Sequence, residues 1–512
     1  MTRGVVHGTT EHKVAVDAEK LMRRIFAHQF MDWAGGCQAG KQRLCCSIIA
    51  HSVSFGCLTV YDVLRKHVIL SSIESEIKMS IPNFVFRNWA DTIEWRPDEF
   101  HQPSTEQDVV DILRAAAVKN QIVRVFGAGH SWSRVVPDAQ CLINLDNLSR
   151  IVNIDREALQ VTVQAGIRIR DLVKDLDASG LAMKNLGAIM AQSIAGAIST
   201  GTHGSGLTFG SLHTQIVGMK LATASGGILE ISQHSNPDLL PAARVSVGAL
   251  GVIIEVTLQC VPAYNLEQVA YALPFDEALD QMIPLAKANE HVRFYWFAGT
   301  DRIYVNTMNR TDKARTDSPL TDWIRNVVMR EGVLGFFWKL DQLFPGAVND
   351  INKLEAAIGF GNFTEVGPWY HELTTSMPPR HIECEYAIPA ELGPDAIRAT
   401  RAVIEKSLSK VTVPMEIRFV AADDAYLSPA FGRDVCYIGG YTTGEEFAEP
   451  YYAVFEPVMK SFGGRPHWGK QISVSCEELA AMYPRYDDFV AVRQRLDPNG
   501  MFANTQIHEW FQ

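Results

Sequence analysis

The sequence predicts an α+β protein of more than one domain, and three observations carry this prediction. The chain has 512 residues, more than one hydrophobic core usually serves. Between residues 86 and 264, strand and helix patterns alternate before hairpins follow, which is typical of an α+β arrangement. From 265 to 462, longer strand and helix runs rich in aromatic residues predict a second domain with a wide sheet.

The first predicted unit is a helix followed by a buried strand. Ser104 and Gln107 have the spacing of a capping box, which marks a helix start. Apolar residues then recur at helical spacing up to about Lys119. Residues 122–126 form an apolar run that ends abruptly at glycine, so we expect a strand followed by a loop.

A second strand and helix follow, and then a hairpin. Leu159, Val161 and Val163 alternate as in a strand, and a helical pattern from Ile169 ends at Gly180. Further along, the sequence predicts paired strands at 216–224 and 228–232, and more strand at 245–258, interrupted by Gly248 and Gly251. We therefore divide the chain into an extension, a first domain, a second domain and a closing segment, at 1–85, 86–264, 265–462 and 463–512.

Composition and charge exclude several classes of function. The chain is 47% hydrophobic and 21% charged, which is ordinary for a globular protein. Its 47 basic and 58 acidic side chains give a formal net charge of −11, so nucleic acid is not expected as a partner. The nine cysteines contain no C-x-x-C pair, which argues against a disulfide framework and a structural zinc site; we predict no metal.

Residues 44–64 form an apolar stretch flanked by basic residues, and two interpretations stay open. The stretch has the length of a membrane-associating segment, but it contains His51, Asp62 and four Ser/Thr residues, which are costly in a bilayer. The alternative is a poorly packed extension or loose helices. The predicted localisation therefore stays open: the protein is either cytoplasmic or membrane-associated. In a eukaryote the membrane would be that of the mitochondrion or the endoplasmic reticulum.

Two glycine-rich loops, at 127–131 and 201–206, indicate where chemistry begins. Glycine allows consecutive backbone N–H groups to converge on one anionic oxygen, as in a pyrophosphate cradle. The first loop lacks the third glycine of the nicotinamide dinucleotide fingerprint, because position 132 is Trp. Small residues at 193–200 let the backbone approach a flat ring. The sequence therefore favours a dinucleotide site of a different kind.

At these loops the sequence resembles a known family. The resemblance is to the sugar-acid lactone oxidase branch of the vanillyl-alcohol-oxidase FAD-linked superfamily, which includes L-gulonolactone and D-arabinono-1,4-lactone oxidases. It covers roughly residues 85–512 in order. The motifs that carry it are Val123-Arg124-Val125-Phe126-Gly127-Ala128-Gly129-His130-Ser131, Ser193-Ile194-Ala195-Gly196, Thr202-His203-Gly204-Ser205-Gly206, Asn88-Trp89-Ala90, Pro466-His467-Trp468-Gly469-Lys470 and Asp497-Pro498 with Gly500.

The resemblance implies a two-subdomain FAD-binding domain, completed by the closing segment, and a substrate-binding cap domain. It implies covalent attachment of FAD through His130, a residue type suited to the task because neutral imidazole is a good nucleophile. The residues expected to bind the cofactor are Arg124, Gly127, Ala128, Gly129, His130, Ser131, Ser193, Gly196, Thr200, Gly201, His203, Gly204 and Ile253.

The expected substrate side rests on fewer residues. Glu416 and Arg418 alternate on one strand face, where a surface ion pair would be the ordinary reading. In the resembling enzymes such a pair contacts substrate hydroxyls in front of the flavin. The resemblance adds Lys470 as a second cation and Ser193 as a hydrogen-bonding group, and it offers His467 as either a base or a packed aromatic neighbour.

We therefore expect FAD-dependent oxidation of a sugar-acid 1,4-lactone, such as L-gulono-, L-galactono- or D-arabinono-1,4-lactone, to ascorbate or an analogue. Flavin N5 would accept the hydride, and oxygen or cytochrome c would reoxidise the flavin. One alternative on the same fold is an alditol or other sugar-alcohol oxidase. Another is a flavin-binding protein without turnover, which the joint presence of Glu416, Arg418, His467 and Lys470 disfavours.

Overall fold

The fold was analysed in a computed structural model, which describes residues 80–318, 333–359, 361–407 and 410–512. The apolar segment 44–64, predicted either to associate with a membrane or to form a loose extension, lies outside the described residues. Among the helices of the described ranges, none combines the length and apolar character needed to cross a membrane.

Two sheets form the first part of the fold. A parallel sheet places strand Cys141–Asn144 between Glu99–His101 and Val123–Phe126. An antiparallel sheet follows, with the spatial order Ile228–Ser232, Ile216–Ala222, Val252–Gln259, Gln160–Gln164 and Ile151–Asp155. Two short strand pairs, Phe86–Arg87 with Glu94–Trp95 and Leu181–Ala182 with Val261–Pro262, complete this part.

A wide antiparallel sheet of eight strands dominates the second part, which confirms the sequence prediction. Its spatial order is Phe363–Pro368, Asn265–Pro274, Arg302–Thr311, His291–Trp296, Met415–Val420, Val435–Thr442, Ile382–Pro389 and Arg465–Pro466. The last strand comes from the closing segment, so the C-terminal part of the chain contributes to the edge of this sheet.

The α-helices of the described ranges cover the sheets. In the first part they are Glu106–Lys119, Ile169–Ala178, Ile194–Ser199 and Leu240–Ala243. In the second part they are Phe275–Ala288, Gly335–Leu343, Val348–Gly359, Trp369–Glu372, Gly393–Lys406 and Glu445–Ser461. The closing segment adds Cys476–Met482, Tyr486–Leu496 and Thr505–Trp510.

Two large hydrophobic cores hold these layers together. The first joins apolar residues of the two N-terminal sheets with Trp468, Phe502 and Phe511 of the closing segment. The second lies under the eight-stranded sheet and includes Phe294 and Phe455. Burial of apolar side chains in each core supplies the main driving force for folding. The predicted α+β class is thus confirmed.

Two local predictions were wrong. The helix after strand Glu99–His101 is capped by Thr105 and Asp108, not by Ser104 and Gln107. The Thr105 hydroxyl accepts from the N–H of Asp108 at 3.1 Å, and the Asp108 carboxylate accepts from the N–H of Thr105 at 2.9 Å. The strand expected at 245–258 with interruptions at Gly248 and Gly251 has no part before them. It begins at Val252, because residues 247–251 form a loop with positive φ at Val247 and at both glycines.

Candidate active site

The first glycine-rich loop follows strand Val123–Phe126, and its own backbone N–H groups are available to a ligand. Within the described parts of the chain, the N–H groups of residues 128–131 donate no hydrogen bond. Gly129 has a φ of 68°, a conformation that lets neighbouring amides turn toward one point. Consecutive free amides of this kind bind anionic oxygens, so the loop has the chemistry of a phosphate cradle.

Gly127 lies against Ser193, which begins the helix Ile194–Ser199. A Cβ placed at Gly127 would lie 2.0 Å from the Ser193 Oγ and 2.9 Å from its Cβ, so only glycine fits without displacement. Ser193 is buried, and its hydroxyl accepts a hydrogen bond from the N–H of Gly196 at 3.4 Å. The two segments that the sequence singled out therefore meet directly.

Arg124 ties this region to the end of the chain. Its buried guanidinium donates to the carbonyl oxygens of Val135, Val247, Gly248 and Phe502 at 2.6, 2.6, 2.9 and 2.7 Å. Burial lowers the pKa of Arg124 to about 10, which leaves it charged at neutral pH. Its hydrogen bonds go to the protein backbone, so Arg124 shapes the wall of the site by holding the 247–251 loop in place.

These segments enclose a first cavity of about 110 Å³. Most of the residues predicted to bind the cofactor line it: Arg124, Gly127, Ala128, Gly129, His130, Ser131, Ser193, Gly196, Thr200 and Ile253. The other three, Gly201, His203 and Gly204, do not. Gly201 faces Pro429, and the carbonyl of Gly204 accepts a hydrogen bond from His203, which lines a different cavity.

That second cavity, of about 180 Å³, adjoins the first and shares His130, Ser131, Gln192 and Thr200 with it. It lies between the glycine-rich loops and the eight-stranded sheet. The structure brings four of the predicted catalytic residues together here: Glu416, Arg418, His467 and Lys470. The fifth, Ser193, lines the first cavity.

Hydrogen bonds fix the first loop to the segment that carries His467 and Lys470. The N–H of Trp132 donates to the carbonyl of Gly469 at 2.8 Å. The Ser133 hydroxyl donates to the carbonyl of Trp468 at 2.6 Å. These bonds follow immediately after His130 in the chain, so they set the position of His130 relative to the catalytic candidates.

Glu416 is the most heavily bonded carboxylate of the second cavity. It forms an ion pair with Arg418 at 2.5 Å and accepts hydrogen bonds from the hydroxyls of Tyr295 at 2.9 Å and Tyr441 at 3.1 Å. Burial raises the pKa of Glu416, but the charges of Arg418 and Arg293 outweigh it, so the net shift is downward. Glu416 is therefore a carboxylate anion inside a buried site.

Lys470 is paired with a different carboxylate, that of Glu383. Its Nζ forms an ion pair with Glu383, whose other oxygen lies 2.6 Å from Nε2 of His381. Nζ also lies 4.6 Å from the ring centre of Trp132, in a cation–π contact. Burial lowers the pKa of Lys470 to about 7. An adjacent carboxylate such as that of Glu383 favours the charged ammonium form. Glu383 and the ring of Trp132 thus hold the Lys470 ammonium group in place inside the cavity, where it can contact a polar ligand directly.

His130 stands between the two cavities as a neutral imidazole. Its ring centre lies 5.4 Å from that of Trp89. Burial lowers the pKa of His130 to about 4, with the charges of Lys470 and Arg168 adding to the effect. A ring nitrogen therefore keeps its lone pair at neutral pH, which nucleophilic attack requires.

Sequence reasoning missed several residues of the second cavity, notably Tyr295, Tyr441, Glu383 and Glu385. A signal existed for the two glutamates, because strand Ile382–Pro389 alternates them with apolar residues. Alternation in a strand that is otherwise apolar predicts carboxylates on a single face. No comparable local signal existed for the tyrosines.

The cavities fit a bound FAD on two observations. The unused amides of residues 128–131 offer donors to a pyrophosphate, and Gly127 allows the close approach that a flat ring system needs. The shared wall at His130 would then lie next to the ring. The chemistry of the donor set thus agrees with the cofactor that the sequence predicted.

Comparison with known proteins gives a consistent result. Residues 97–232 match the FAD binding domain family, and residues 256–512 match the D-arabinono-1,4-lactone oxidase family. The chain is 35% identical to an L-gulonolactone oxidase from Bos taurus over 83% of this chain and 98% of that protein. It is 34% identical to an L-gulono-1,4-lactone dehydrogenase from Mycobacterium tuberculosis, over 82% and 97%.

Solved structures show the same fold at low sequence identity. A crystal structure of cholesterol oxidase from B. sterolicum superposes with a TM-score of 0.72 and 18% identity, covering 84% of this chain and 99% of that one. At this identity the match concerns the fold alone. It confirms the predicted fold, an FAD-binding domain joined to a domain with a wide sheet.

Proposed function

Because the chain belongs to the D-arabinono-1,4-lactone oxidase family, we propose that it oxidises a sugar-acid 1,4-lactone with FAD as the hydride acceptor. The candidate substrates are L-gulono-, L-galactono- and D-arabinono-1,4-lactone. The hydroxyl next to the lactone carbonyl becomes a ketone, and the 2-keto lactone enolises to ascorbate or an analogue. When bound, FAD supplies the two-electron acceptor for this oxidation.

In this proposal FAD is attached covalently through His130. The neutral imidazole supplies a lone pair for a bond to the 8α-methyl carbon of the flavin. The new C–N bond replaces a C–H bond and an N–H bond, so two electrons and two protons must leave, and oxygen can accept them. The position of His130 on the wall shared by both cavities supports this assignment.

The second cavity holds the lactone. Arg418 and Lys470 polarise the oxygen that loses its proton, because nearby cations stabilise the developing negative charge. Nε of Arg418 is buried and has no hydrogen-bond partner among the described residues, which leaves one donor direction open. Glu416 accepts a hydrogen bond from a neighbouring hydroxyl and is the group that can take up a proton, while the phenols of Tyr295 and Tyr441 donate to its carboxylate and hold it in place.

His467 is a hydrogen-bond donor in this scheme, although the sequence also offered it as a base. Its Nδ1 accepts from the N–H of Gly469 at 3.0 Å, so in the neutral ring Nε2 carries the proton. Ser193 caps the helix Ile194–Ser199 beside the first cavity, where we propose that it contacts the cofactor edge or the substrate.

One observation carries the proposal: His130, Glu416, Arg418 and Lys470 line the same cavity, although they are far apart in the chain. The test is anaerobic reduction of the bound flavin by the three lactones, with xylitol as the sugar-alcohol comparison. We expect a lactone to bleach the flavin faster than xylitol. Bleaching by xylitol alone would favour a sugar-alcohol oxidase, and bleaching by none of the four compounds would contradict turnover.

The same sample identifies the electron acceptor. We propose that oxygen reoxidises the flavin, because relatives such as the protein from Bos taurus are named oxidases. Admission of air to the reduced protein should restore the flavin colour rapidly. Recovery only after cytochrome c is added would identify the chain as a dehydrogenase.

A further inference from the structure

We propose that Glu385 and His467 form a hydroxyl-binding subsite in the second cavity, with a carboxylate acceptor beside an imidazole donor, and that His203 positions the carboxylate. The inference rests on the proposed function, since a sugar-acid lactone carries several hydroxyl groups. The subsite is separate from the Glu416–Arg418 pair and would bind a different hydroxyl of the same molecule. All three of its residues are buried and line the cavity.

The hydrogen bonds of His203 show how it holds Glu385. Its Nδ1 lies 3.0 Å from the carbonyl oxygen of Gly204, and its Nε2 lies 3.2 Å from Oε1 of Glu385. A carboxylate can only accept, so Nε2 of His203 donates to Glu385. The ring of His203 stacks on Tyr437, with centres 3.5 Å apart and planes at 9°, which fixes the orientation of the ring.

Glu385 stays ionised although it is buried. Burial raises the pKa of its carboxyl group, but the contact with His203 is the largest of the effects that outweigh burial, so the net shift of the pKa is downward. Oε1 is occupied by His203, whereas Oε2 has no hydrogen-bond partner among the residues that the structure describes. A carboxylate oxygen that lines a cavity without a protein partner is available to accept a hydrogen bond from a ligand.

His467 supplies the complementary donor. Because Nδ1 accepts from the N–H of Gly469, the proton of the neutral ring is on Nε2. Burial lowers the pKa of His467 to about 4, although the charge of Glu385 opposes the shift, so the ring is neutral at pH 7. Within the described ranges, this N–H has no acceptor.

The spacing of these groups suits one hydroxyl. A nitrogen of His467, a nitrogen of His203 and a carboxylate oxygen of Glu385 all lie within 4.8 Å of one another. Two hydrogen bonds of ordinary length that meet at one oxygen span about 4.6 Å. A hydroxyl can donate to Glu385 and accept from His467 at the same time, which neither an ether nor a carbonyl oxygen can do.

The same three residues resemble a metal-ligand set, but their protons argue against a metal. A metal ion needs a free lone pair on each ligating nitrogen. Both nitrogens of His203 are engaged with acceptors, and the nitrogen of His467 that has a lone pair already accepts from Gly469. The titratable groups that the structure places against the ring of His203 are Glu385, Tyr437 and His467. A hydroxyl therefore fits this arrangement better than a cation does.

The first test combines a protein variant with ligand variants. Lactones that each lack one hydroxyl are titrated, by anaerobic calorimetry, into dithionite-reduced holoprotein, which cannot turn them over. The proteins are the unsubstituted chain, Glu385→Gln, and Glu391→Gln as the control, because Glu391 is an exposed glutamate of the same sheet domain. Dissociation constants are then compared across the ligand series.

For one deoxy-lactone we expect about 10- to 100-fold weaker binding than for the parent lactone, the usual range for a hydrogen bond to a charged group. In Glu385→Gln that penalty should shrink to about threefold or less, because the ionised acceptor is gone. Glu391→Gln should retain the full penalty. Equal penalties in Glu385→Gln and in the unsubstituted protein, for every missing hydroxyl, would overturn the proposal.

A second test does not depend on the substrate. Histidine labelled with ¹⁵N in the holoprotein reports which ring nitrogens carry protons, and difference spectra against His203→Gln and His467→Gln assign the signals. We expect Nε2 of His203 and Nε2 of His467 to carry protons. An Nε2 without a proton in either ring would contradict the subsite even if lactones reduce the flavin, whereas failure of all lactones with these proton positions intact would contradict only the proposed function.

Discussion

The backbone N–H of Trp132 donates a 2.8 Å hydrogen bond to the carbonyl oxygen of Gly469. This contact lies two residues after His130 and one residue before Lys470, so it links the proposed flavin-attachment residue to a proposed substrate-binding cation. A hydrogen bond between two backbones does not depend on the side chains on either side of it. Substitutions at His130 or Lys470 can therefore be interpreted as changes of chemistry within a preserved frame.

Removal of the imidazole at position 130 should release the cofactor from the chain. We expect the purified protein to stay yellow after acid precipitation, because a covalent bond survives unfolding, and His130→Ala to lose its flavin to the supernatant. The absorbance of the supernatant measures the released flavin. His234→Ala is the matched control, since His234 is an exposed histidine. Release of flavin from the unsubstituted protein would show that the attachment is not covalent.

The guanidinium of Arg418 should be needed for turnover in a way that lysine cannot replace. Arg418 holds Glu416 and leaves Nε free for a ligand, a geometry that an ammonium group lacks. We expect Arg418→Lys to lower kcat/KM for the lactone by about 100- to 1000-fold. The exposed Arg398 allows Arg398→Lys as a control with unchanged activity. A loss of less than about threefold in Arg418→Lys would remove Arg418 from the proposed mechanism.

The close approach of Gly127 and Ser193 can be tested by a compensating pair of substitutions. Gly127→Ala places a Cβ 2.0 Å from the Ser193 Oγ, so we expect displaced backbone and a lower flavin content per chain. Adding Ser193→Gly removes both clashing atoms, and the next nearest atom is the backbone nitrogen of residue 193, at 3.8 Å. The double variant should regain flavin.

The matched control for that pair is Gly346→Ala, because a Cβ at Gly346 meets no atom within 4 Å. It should retain the flavin content of the unsubstituted protein. If Gly127→Ala binds flavin normally, or if the double variant shows no recovery, the contact does not shape the cofactor cavity.

Two buried carboxyl groups of the helix pair Gly335–Leu343 and Val348–Gly359 predict that stability depends on pH. Asp341 and Glu355 have no hydrogen-bond partners among the described residues, and burial raises their pKa values to about 7 and about 8. Since these exceed the values of about 4 in an unfolded chain, the folded state binds more protons between pH 4 and 8. Stability should therefore fall as pH rises through that window.

The double variant Asp341→Asn/Glu355→Gln should remove this dependence. Each group changes the free energy of unfolding by at most about 1.4 kcal/mol per pH unit. Between pH 5 and pH 8, the thermal midpoint should therefore drop more in the unsubstituted protein than in the double variant. Asp350→Asn, at an exposed position, controls for a change of net charge. Parallel pH profiles for the double variant and the unsubstituted protein would refute the assignment.

Local patterns in the sequence, together with the family resemblance, were enough to predict many of the residues that line the first cavity. The glycines at 127 and 129, the small residues at 193–200 and His130 are features of short segments, and each has a physical consequence that does not depend on distant contacts. The alternation of Glu416 and Arg418 on one strand face is of the same kind. The proposed boundaries between the segments at 1–85, 86–264, 265–462 and 463–512 stay predictions.

The remaining parts of the site depend on how strands pair. Tyr295 contacts Glu416 because strands His291–Trp296 and Met415–Val420 are neighbours in a particular register, which no single segment encodes. His203 was predicted to bind the cofactor but lines the second cavity, where Glu385 of a distant strand fixes its ring. Contacts of this type follow from sheet order and are therefore outside the reach of local patterns.

The most direct test of the central claim is the rate at which a lactone deuterated on the carbon next to the carbonyl reduces the flavin. The measurement is made anaerobically at saturating lactone, so that only hydride transfer limits the bleaching. If the cavity that joins His130 to Glu416, Arg418 and Lys470 oxidises that carbon, the deuterated lactone should reduce the flavin several-fold more slowly than the ordinary one. Equal rates, or no reduction by either compound, would contradict the proposed reaction.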